Sequence, residues 1–190
     1  MLIQGQLTHM VRFERNHLND PNYYHWINDI NVVRYIGRDE LLTGISFEEA
    51  EQYVQQLWRN EHCIFLAVYH TESGKFVGTA KINFINERGR KHGLADIGIM
   101  LGDRNFRGKG LATDILRAIS VYAFENLLAR KLTAGAMSPN EAVVRAFLRI
   151  GYVEEGRLRR QLPIENGYCD HVLLSCFRDE LKVLDTRLEL

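Results

Sequence analysis

The sequence predicts an α+β sandwich, in which a mixed, mostly antiparallel central sheet carries helices on both faces. Three observations predict this class. Short apolar runs separated by turns recur through the middle of the chain, and the hydrophobic period becomes that of a helix from Leu111 onward. Two further runs near the C-terminus are joined by E-N-G (165–167), which is a hairpin signal. Strands and helices therefore share one chain, with no linker-like stretch between them.

The chain begins with a predicted strand and a predicted helix. Residues 7–13 alternate between apolar and polar side chains, as expected of a half-buried strand. Residues 20–35 predict a helix, because Asp20 is suited to the N-cap and Pro21 to the first helical position.

A capping box starts the next predicted helix, over residues 46–60. Ser46 is followed three residues later by Glu49, so each side chain can bond a backbone N–H group of the other residue. The apolar residues that follow share one helical face; they are Ala50, Tyr53, Val54, Leu57 and Trp58.

The rest of the chain predicts strands interrupted by two helices. The helical period of Leu111, Ile115 and Ile119 predicts a long helix, and Asn140 and Gly151 bound a shorter one. The predicted elements are strands at 63–69, 75–85 and 94–102, a helix at 108–128, a strand at 131–137, a helix at 140–151, and strands at 152–162 and 167–177.

Size and composition fit one globular domain over residues 1–190, with 46% hydrophobic and 25% charged residues. A formal net charge of zero argues against a nucleic-acid partner. The three cysteines lack Cys-x-x-Cys spacing, so we expect neither a disulfide framework nor a zinc site. We find no signal peptide and no apolar stretch of membrane length, and therefore expect a cytoplasmic protein with no membrane partner.

The most informative segment is R-N-F-R-G-K-G-L-A-T-D (104–114), which joins a predicted strand to the long helix. Gly108 and Gly110 allow the backbone to turn sharply and approach a ligand, and the N–H groups of a helix N-terminus favour phosphate. The segment is either a pyrophosphate cradle or an ordinary glycine-bearing loop with solvated basic residues. The basic residues that add positive charge are Arg104, Arg107 and Lys109.

Two other phosphate-binding motifs are excluded. A Walker A loop requires Ser or Thr after Gly-Lys, but Gly110 follows Lys109 here. A dinucleotide fingerprint requires a third glycine where this chain has Thr113.

The segment R-G-K-G-L-A (107–112) resembles the Gln/Arg-x-x-Gly-x-Gly/Ala signature of the GNAT acetyltransferase family, whose fixed positions are filled by Arg107, Gly110 and Ala112. Residues 140–159 resemble the second signature, in which an Asn begins a helix that ends in Gly-Phe/Tyr. Residues 24–36 are similar to a segment of members of the ribosomal-protein and surface-polysaccharide types. The resemblance spans roughly residues 8–178 and implies the GNAT fold.

The resemblance implies acetyl-CoA as co-substrate. Coenzyme A would lie where two central strands splay apart, with its pantetheine arm along the backbone of one strand and its pyrophosphate at the turn. Asn140 would contact the pantetheine or thioester, unless it only caps its helix. The implied donor-binding residues are Ile99, Met100, Leu101, Arg104, Arg107, Gly108, Lys109, Gly110, Leu111, Ala112, Thr113, Asn140 and Phe147.

Amine acetylation requires a group that takes a proton from the amine and a proton for the departing thiolate. Asp96 is the candidate base because of its position on the central strand. Alternatively, Asp96 is only a polar residue on the solvent side of that strand and has no catalytic role. The family often places a proton-donating Tyr where this chain has Phe147, which has no proton to donate. Possible substitutes are Ser138, Tyr152 and Tyr168, although Tyr152 occupies a position that is usually in the core.

The acceptor site is expected between the N-terminal half and the C-terminal hairpin. Three aromatic candidates either stack on the acceptor or pack between helices. His171 either reaches the acceptor cleft or has a structural role. Cys169 has no partner at diagnostic spacing, so we expect a buried thiol and not a nucleophile. The candidate acceptor-binding residues are Tyr24, Trp26, Tyr35, Asp170 and His171.

The sequence therefore predicts an acetyl-CoA-dependent N-acetyltransferase that acts by direct attack of a primary amine. The amine is either a protein N-terminus or a small molecule such as an amino sugar nucleotide. The alternative, motivated by Phe147, is a non-catalytic acyl-CoA-binding sensor or scaffold. A longer acyl donor is a third possibility. We expect no metal, and a homodimer only by analogy with the family.

Overall fold

The computed structural model describes residues 1–182, and in this range eight strands form a single sheet. The strands are β1 (Leu2–Gln4), β2 (Thr8–Arg12), β3 (Cys63–His70), β4 (Lys75–Phe84), β5 (Leu94–Leu101), β6 (Lys131–Met137), β7 (Val153–Ile164) and β8 (Gly167–Phe177). Their order across the sheet is β1-β2-β3-β4-β5-β6-β8-β7. Neighbours are antiparallel except β5 and β6, which are parallel. The mixed, mostly antiparallel sheet is confirmed.

Helices cover both faces of this sheet. They are α1 (Arg15–Leu18), α2 (Pro21–Ile27), α3 (Ile30–Val33), α4 (Phe47–Arg59), α5 (Glu87–Lys91), α6 (Leu111–Asn126) and α7 (Glu141–Arg149), with 3₁₀ turns at Asp39–Leu42 and Arg104–Phe106. Helices α6 and α7 share a core with one face of the sheet, including Leu66 and Ile97. Helices α1 to α4 share a second core with the opposite face, including Ala67 and Met100. Adjacent strand residues point to opposite faces, which separates the two cores.

The single helix predicted over residues 20–35 is wrong, because the structure has two short helices there. Asp20 caps α2 as expected, accepting a hydrogen bond from the N–H of Asn22 at 2.8 Å. Asp29 then caps α3 by accepting from the N–H of Asn31 at 3.0 Å. A second N-cap inside the segment stops the first helix, since a side-chain oxygen that bonds the backbone competes with helical hydrogen bonds.

The other three predicted helices begin and end close to their predicted bounds, and the short helices α1 and α5 were not predicted. The Ser46–Glu49 capping box is present at the start of α4. Trp58, predicted on the apolar face of α4, is 42% exposed, although its indole N–H donates to the carbonyl of Phe13 at 2.8 Å. Helix α6 begins at Leu111 instead of residue 108, because Gly110 has a φ of 82° and so lies in the left-handed region.

A buried carboxylate ties the N-terminus to the start of α6. Asp114, in the first turn of this helix, is 5% exposed. It accepts hydrogen bonds from the backbone N–H groups of Gln6, Leu7 and Thr8 at 2.8, 3.0 and 2.9 Å, and from the Thr8 hydroxyl at 2.7 Å. Gly5 permits this approach, since a Cβ there would lie 2.3 Å from Asp114 Oδ2. The contact fixes the β1–β2 turn beside the glycine-rich segment.

We expect Asp114→Ala to lower the free energy of unfolding by about 2–4 kcal/mol, because it leaves the buried N–H and hydroxyl groups of Thr8 without an acceptor. Asp114→Asn retains one side-chain oxygen and should lose less. Urea denaturation of the wild type and both variants measures the difference. A stability of Asp114→Ala within about 0.5 kcal/mol of the wild type, the range of an ordinary surface substitution, would contradict this role.

Candidate active site

Strands β5 and β6 separate in the middle of the sheet. They pair over only three residues, Leu94–Asp96 with Lys131–Thr133. Beyond this point β5 continues to Leu101 in register with β4, whereas β6 continues to Met137 in register with β8. A cavity of about 660 Å³ opens between the diverging strands, a size typical of ligand sites. The splayed strands expected from the sequence are present.

The glycine-rich turn closes one end of this cavity. Gly108 and Gly110 have φ values of 72° and 82°, which non-glycine side chains rarely adopt. Both glycines line the cavity, and a Cβ added at Gly108 would meet no atom within 4 Å. The first N–H groups of α6 have no partner within the helix, and the helix dipole adds partial positive charge there. The turn is therefore suited to bind phosphate.

Two of the three basic residues of the turn are engaged within the protein. Arg104 forms an ion pair with Asp29 at 2.5 Å. Arg107 donates to the carbonyls of Asn31 and Leu101, both at 3.3 Å. Burial, and then the nearby Arg104, lower the pKa of Arg107. These contacts hold the turn against α3, a structural role that its sequence did not indicate.

Most of the predicted donor-binding residues are brought together around the cavity. Arg104 and Lys109 are the exceptions, and the Lys109 ammonium lies 5.6 Å from the centre of the Phe106 ring. The predicted residues that line the cavity are Ile99, Met100, Leu101, Arg107, Gly108, Gly110, Leu111, Ala112, Thr113, Asn140 and Phe147.

Asn140 occupies the N-cap position of α7, but its side chain makes no capping hydrogen bond. It lines the cavity and is half-buried. The simple capping interpretation therefore lacks its defining contact. The amide is left with donors and an acceptor that a ligand can use.

Asp96 lies where β5 and β6 part, and its carboxylate lines the cavity. Thr133 donates a hydrogen bond to its Oδ2 at 3.1 Å. Burial raises the pKa of Asp96, and this outweighs the Thr133 bond and the charge of Lys81, which both act to lower it. Asp96 is half-buried and faces the cavity. Leu101 lies five residue steps further along β5, about 16 Å along an extended strand.

Lys81 is a cavity residue that the sequence did not single out. It pairs with Gly98 across β4 and β5, while Asn83 pairs with Asp96. Directly paired residues share a face of the sheet, so Lys81 is on the same face as Asp96. The only sequence signal was a lysine inside an apolar strand, and its proximity to Asp96 depends on strand register.

The hydroxyl groups considered as proton donors do not line the cavity. Tyr152 is 2% exposed, packs 4.8 Å from the ring of Phe147 and shares a 3.0 Å hydrogen bond with Ser120. Burial strongly raises its pKa. Ser138 accepts from the N–H of Asp170 at 3.2 Å, and Tyr168 is 68% exposed. These positions favour packing for Tyr152 and a strand-linking role for Ser138.

Tyr35, among the aromatic acceptor candidates, lines the cavity. Tyr24 and Trp26 do not: the Tyr24 hydroxyl donates to the Ile45 carbonyl at 3.0 Å, and Trp26 is buried 5.1 Å from the ring of Phe76. Trp26 is thus placed for packing, the alternative considered for it, whereas Tyr24 is 37% exposed and lies outside the cavity lining.

The C-terminal candidates lie beside the cavity and not among its lining residues. Asp170 accepts from the N–H of Arg160 at 3.0 Å, at an irregularity of β7 where Arg160 has a φ of 50°. His171 covers a glycine that does line the cavity, since a Cβ at Gly135 would lie 2.2 Å from the His171 Nε2. Cys169 is a buried free thiol, as expected.

No group of three or more His, Cys, Asp or Glu side chains suited to a metal ion is found among residues 1–182. Over the same residues, no helix has both the length and the apolar character needed to span a bilayer.

Comparisons with known proteins identify the family of this site. Residues 11–153 match the family model described as Acetyltransferase (GNAT) domain. The chain is 29% identical over 124 residues to the probable N-acetyltransferase YjcK of Bacillus subtilis, and 31% identical over 107 residues to the putative ribosomal N-acetyltransferase YdaF of the same organism. These matches cover 65% and 56% of this chain but only 66% and 56% of the relatives, less than two thirds of each.

The fold also matches solved structures. A spermidine N-acetyltransferase from Vibrio cholerae, in complex with CoA and spermine, superposes with a TM-score of 0.80 at 21% sequence identity. The superposition covers 92% of this chain and 97% of that one. At this identity the likeness establishes the GNAT fold and not a shared substrate.

Proposed function

The chain belongs to the GNAT acetyltransferase family, and we propose that it transfers an acetyl group from acetyl-CoA to a primary amine. The observation that carries the proposal is one continuous cavity that is lined both by the glycine-rich turn and by the half-buried Asp96. The acceptor is either a protein N-terminus or a small amine such as an amino sugar nucleotide. YjcK and YdaF are both named as N-acetyltransferases, which supports the same reaction.

The donor end of the proposed site uses mainly backbone groups. The N–H groups of residues 107–113 would hold the pyrophosphate, and the open edge of β5 along residues 99–101 would pair with the pantetheine arm. Asn140 would hold the arm near the thioester. Acetyl-CoA supplies the activated acyl group, so the protein mainly positions the reactants and manages protons.

Asp96 acts as the base in this proposal. The amine attacks the acyl carbon directly, forming the C–N bond while the C–S bond breaks, and Asp96 accepts the proton that the amine releases. The raised pKa of this partly desolvated carboxyl makes it a better proton acceptor than a fully exposed aspartate. Because Phe147 faces the cavity and Tyr152 is buried behind it, the proposal assigns no tyrosine to protonate the thiolate.

Calorimetric titration with acetyl-CoA tests the donor site, and a thiol-release assay with a panel of amines tests transfer. Saturable binding followed by amine-dependent thiol release is the expected result. Binding without release for peptides, polyamines and amino sugars alike would favour the sensor alternative. No binding by folded protein would refute the proposal.

Asn140→Ala should weaken acetyl-CoA binding by up to about tenfold, the loss expected for one hydrogen bond, with little change in stability. Ser46→Ala is the matched control, because the Ser46 side chain does cap its helix by accepting from the N–H of Glu49 at 3.2 Å. Ser46→Ala should lose about 1 kcal/mol of stability and should bind acetyl-CoA with unchanged affinity. Calorimetry and thermal denaturation of both variants distinguish a ligand contact from a helix cap. A loss of stability without a loss of acetyl-CoA affinity in Asn140→Ala would assign Asn140 to capping alone.

A further inference from the structure

Strand β5 carries a glycine, Gly98, in its interior. Glycine weakens a strand relative to other residues, because it loses more backbone freedom on folding and has no side chain to pack. A glycine inside a strand therefore usually marks a bulge, an unusual backbone conformation, or the close approach of another group.

The other strand glycines of residues 1–182 each have such a reason within the protein. A Cβ added at Gly78 or Gly135 would lie 2.1 or 2.2 Å from an atom of a neighbouring strand. Gly156 lies at a register irregularity of β7, and Gly167 has a φ of 130° at the start of β8. Packing, a bulge and a turn thus account for these four.

None of these reasons applies to Gly98. The pairing of β4 with β5 has no register shift between Gly78–Leu101 and Phe84–Ala95. The φ of Gly98 lies outside the left-handed region, and a Cβ there would meet no atom of the described residues within 4 Å. Gly98 also lines the cavity. Its missing side chain therefore leaves space in the cavity that the protein itself does not fill.

The space beside Gly98 lies next to Asp96. Residues two apart in a strand share a face, so Gly98 opens toward the face that carries Asp96 and Met100. The rise of a strand places Gly98 about 7 Å from Asp96. Lys81 pairs with Gly98 on one side, whereas β6 has already left β5 on the other, since their last pair is Asp96–Thr133. The space thus lies at the split of the sheet.

The reach of the proposed reaction ends at the same place. An amine that gives its proton to Asp96 lies about 3 Å from the carboxylate, and the acyl carbon that it attacks lies about 3 Å further on. The sum, about 6 Å, is close to the spacing between Asp96 and Gly98. From the other direction, a pantetheine arm along residues 99–101 of β5 arrives next at Gly98.

Resting on the proposed function, we propose that the acyl group under transfer lies over Gly98, and that the absence of a side chain there sets the size of the acyl group that the protein accepts. Gly98 is thus a specificity-determining residue. A side chain at position 98 would take the space of the acyl group, while the backbone of residues 99–101 and the glycine-rich turn would still be free to bind the rest of the donor.

Calorimetric titration of Gly98→Ala and Gly98→Val with CoA, acetyl-CoA and propionyl-CoA tests this assignment without a known acceptor. The Kd for CoA, which has no acyl group, should change less than about twofold. The Kd for acetyl-CoA should rise about tenfold or more, the effect of one misplaced methyl group, and the Kd for propionyl-CoA should rise further. Both variants should melt at the wild-type temperature or above, because alanine and valine suit a strand better than glycine.

Gly156→Ala and Gly156→Val are the matched controls. Gly156 is also a strand glycine with no atom within 4 Å of an added Cβ, but it does not line the cavity. Both control variants should bind CoA, acetyl-CoA and propionyl-CoA with wild-type affinity. A loss confined to the Gly98 variants then belongs to the position and not to the replacement of a strand glycine.

Two outcomes would overturn the inference. Unchanged affinity of Gly98→Ala and Gly98→Val for all three donors would show that the acyl group lies elsewhere. Equal weakening of CoA and acetyl-CoA would place the arm of the coenzyme, and not the acyl group, over Gly98. Failure of the wild type to bind acetyl-CoA would refute the proposed function itself, so the two failures are distinguishable.

Discussion

Gly110→Trp should abolish measurable binding of acetyl-CoA while leaving the chain folded. Gly110 stands immediately before α6, with a φ of 82°, and lines the cavity at the proposed pyrophosphate site. A Cβ there would meet only Leu7 Cδ1, at 3.7 Å, so a side chain can be attached at this position without a clash at its first atom. It would occupy the space in front of the helix N–H groups. Losing two charge-assisted contacts alone weakens binding by more than about a hundredfold.

Gly74→Trp is the matched control for this variant. Gly74 has a φ of 63° in the turn between β3 and β4, with no atom within 4 Å of a Cβ, and does not line the cavity. Each substitution places a non-glycine residue in a left-handed backbone conformation, which costs about 1–2 kcal/mol. Both variants should therefore have a similarly lowered melting temperature. Calorimetric titration should show wild-type affinity for Gly74→Trp alone. Wild-type affinity in Gly110→Trp would remove the turn from the donor site.

Asp96→Asn should lower kcat by about 10² to 10⁴, the usual contribution of a general base, with little change in acetyl-CoA affinity. Burial raises the pKa of Asp96 above the ordinary range of an aspartate. In the wild type, the rate should rise with pH as Asp96 loses its proton, with a midpoint above that range. The variant should lack this rise. A pH profile of kcat over both proteins measures the effect, and identical profiles would exclude Asp96 as the base.

The thermal stability of Asp96→Asn shows whether a loss of activity reflects a loss of folded protein. A carboxyl group whose pKa is higher in the folded than in the unfolded chain stabilises the fold in its protonated form. This contribution is fully present below the pKa of the unfolded chain, and it is lost as the pH rises through the pKa of the folded chain. Near pH 7 the ionised, partly desolvated carboxylate of Asp96 therefore lowers the stability of the fold, and substitution by Asn removes this effect. Asp96→Asn should melt at the same temperature as the wild type or higher at pH 7. A lower melting temperature would show that the carboxylate supports the fold.

Features set by local chemistry could be predicted from the sequence. The Ser46–Glu49 box and the Asp20–Pro21 start both depend on groups a few residues apart, and both are present. The glycine-rich turn is also local, because the left-handed conformations of Gly108 and Gly110 follow from glycine itself. The break at Asp29 was missed because the apolar residues around it continue the helical pattern.

Contacts that depend on strand register or on distant segments could not be predicted. Lys81 and Asp96 come together only through the pairing of β4 with β5. Arg104 was expected to provide free positive charge, but its partner Asp29 lies far away in the sequence. The Asp114 contact with the N-terminal turn is of the same kind. In each case the residue type was visible and its partner was not.

Amine-dependent release of coenzyme A thiol from acetyl-CoA, with mass spectrometry of the product, tests the central claim most directly. The account predicts saturable release by the wild type, an acetylated amine in equal amount, and release slowed by Asp96→Asn. Tight binding of acetyl-CoA with no release above the background hydrolysis rate, for any amine of the panel, would contradict it.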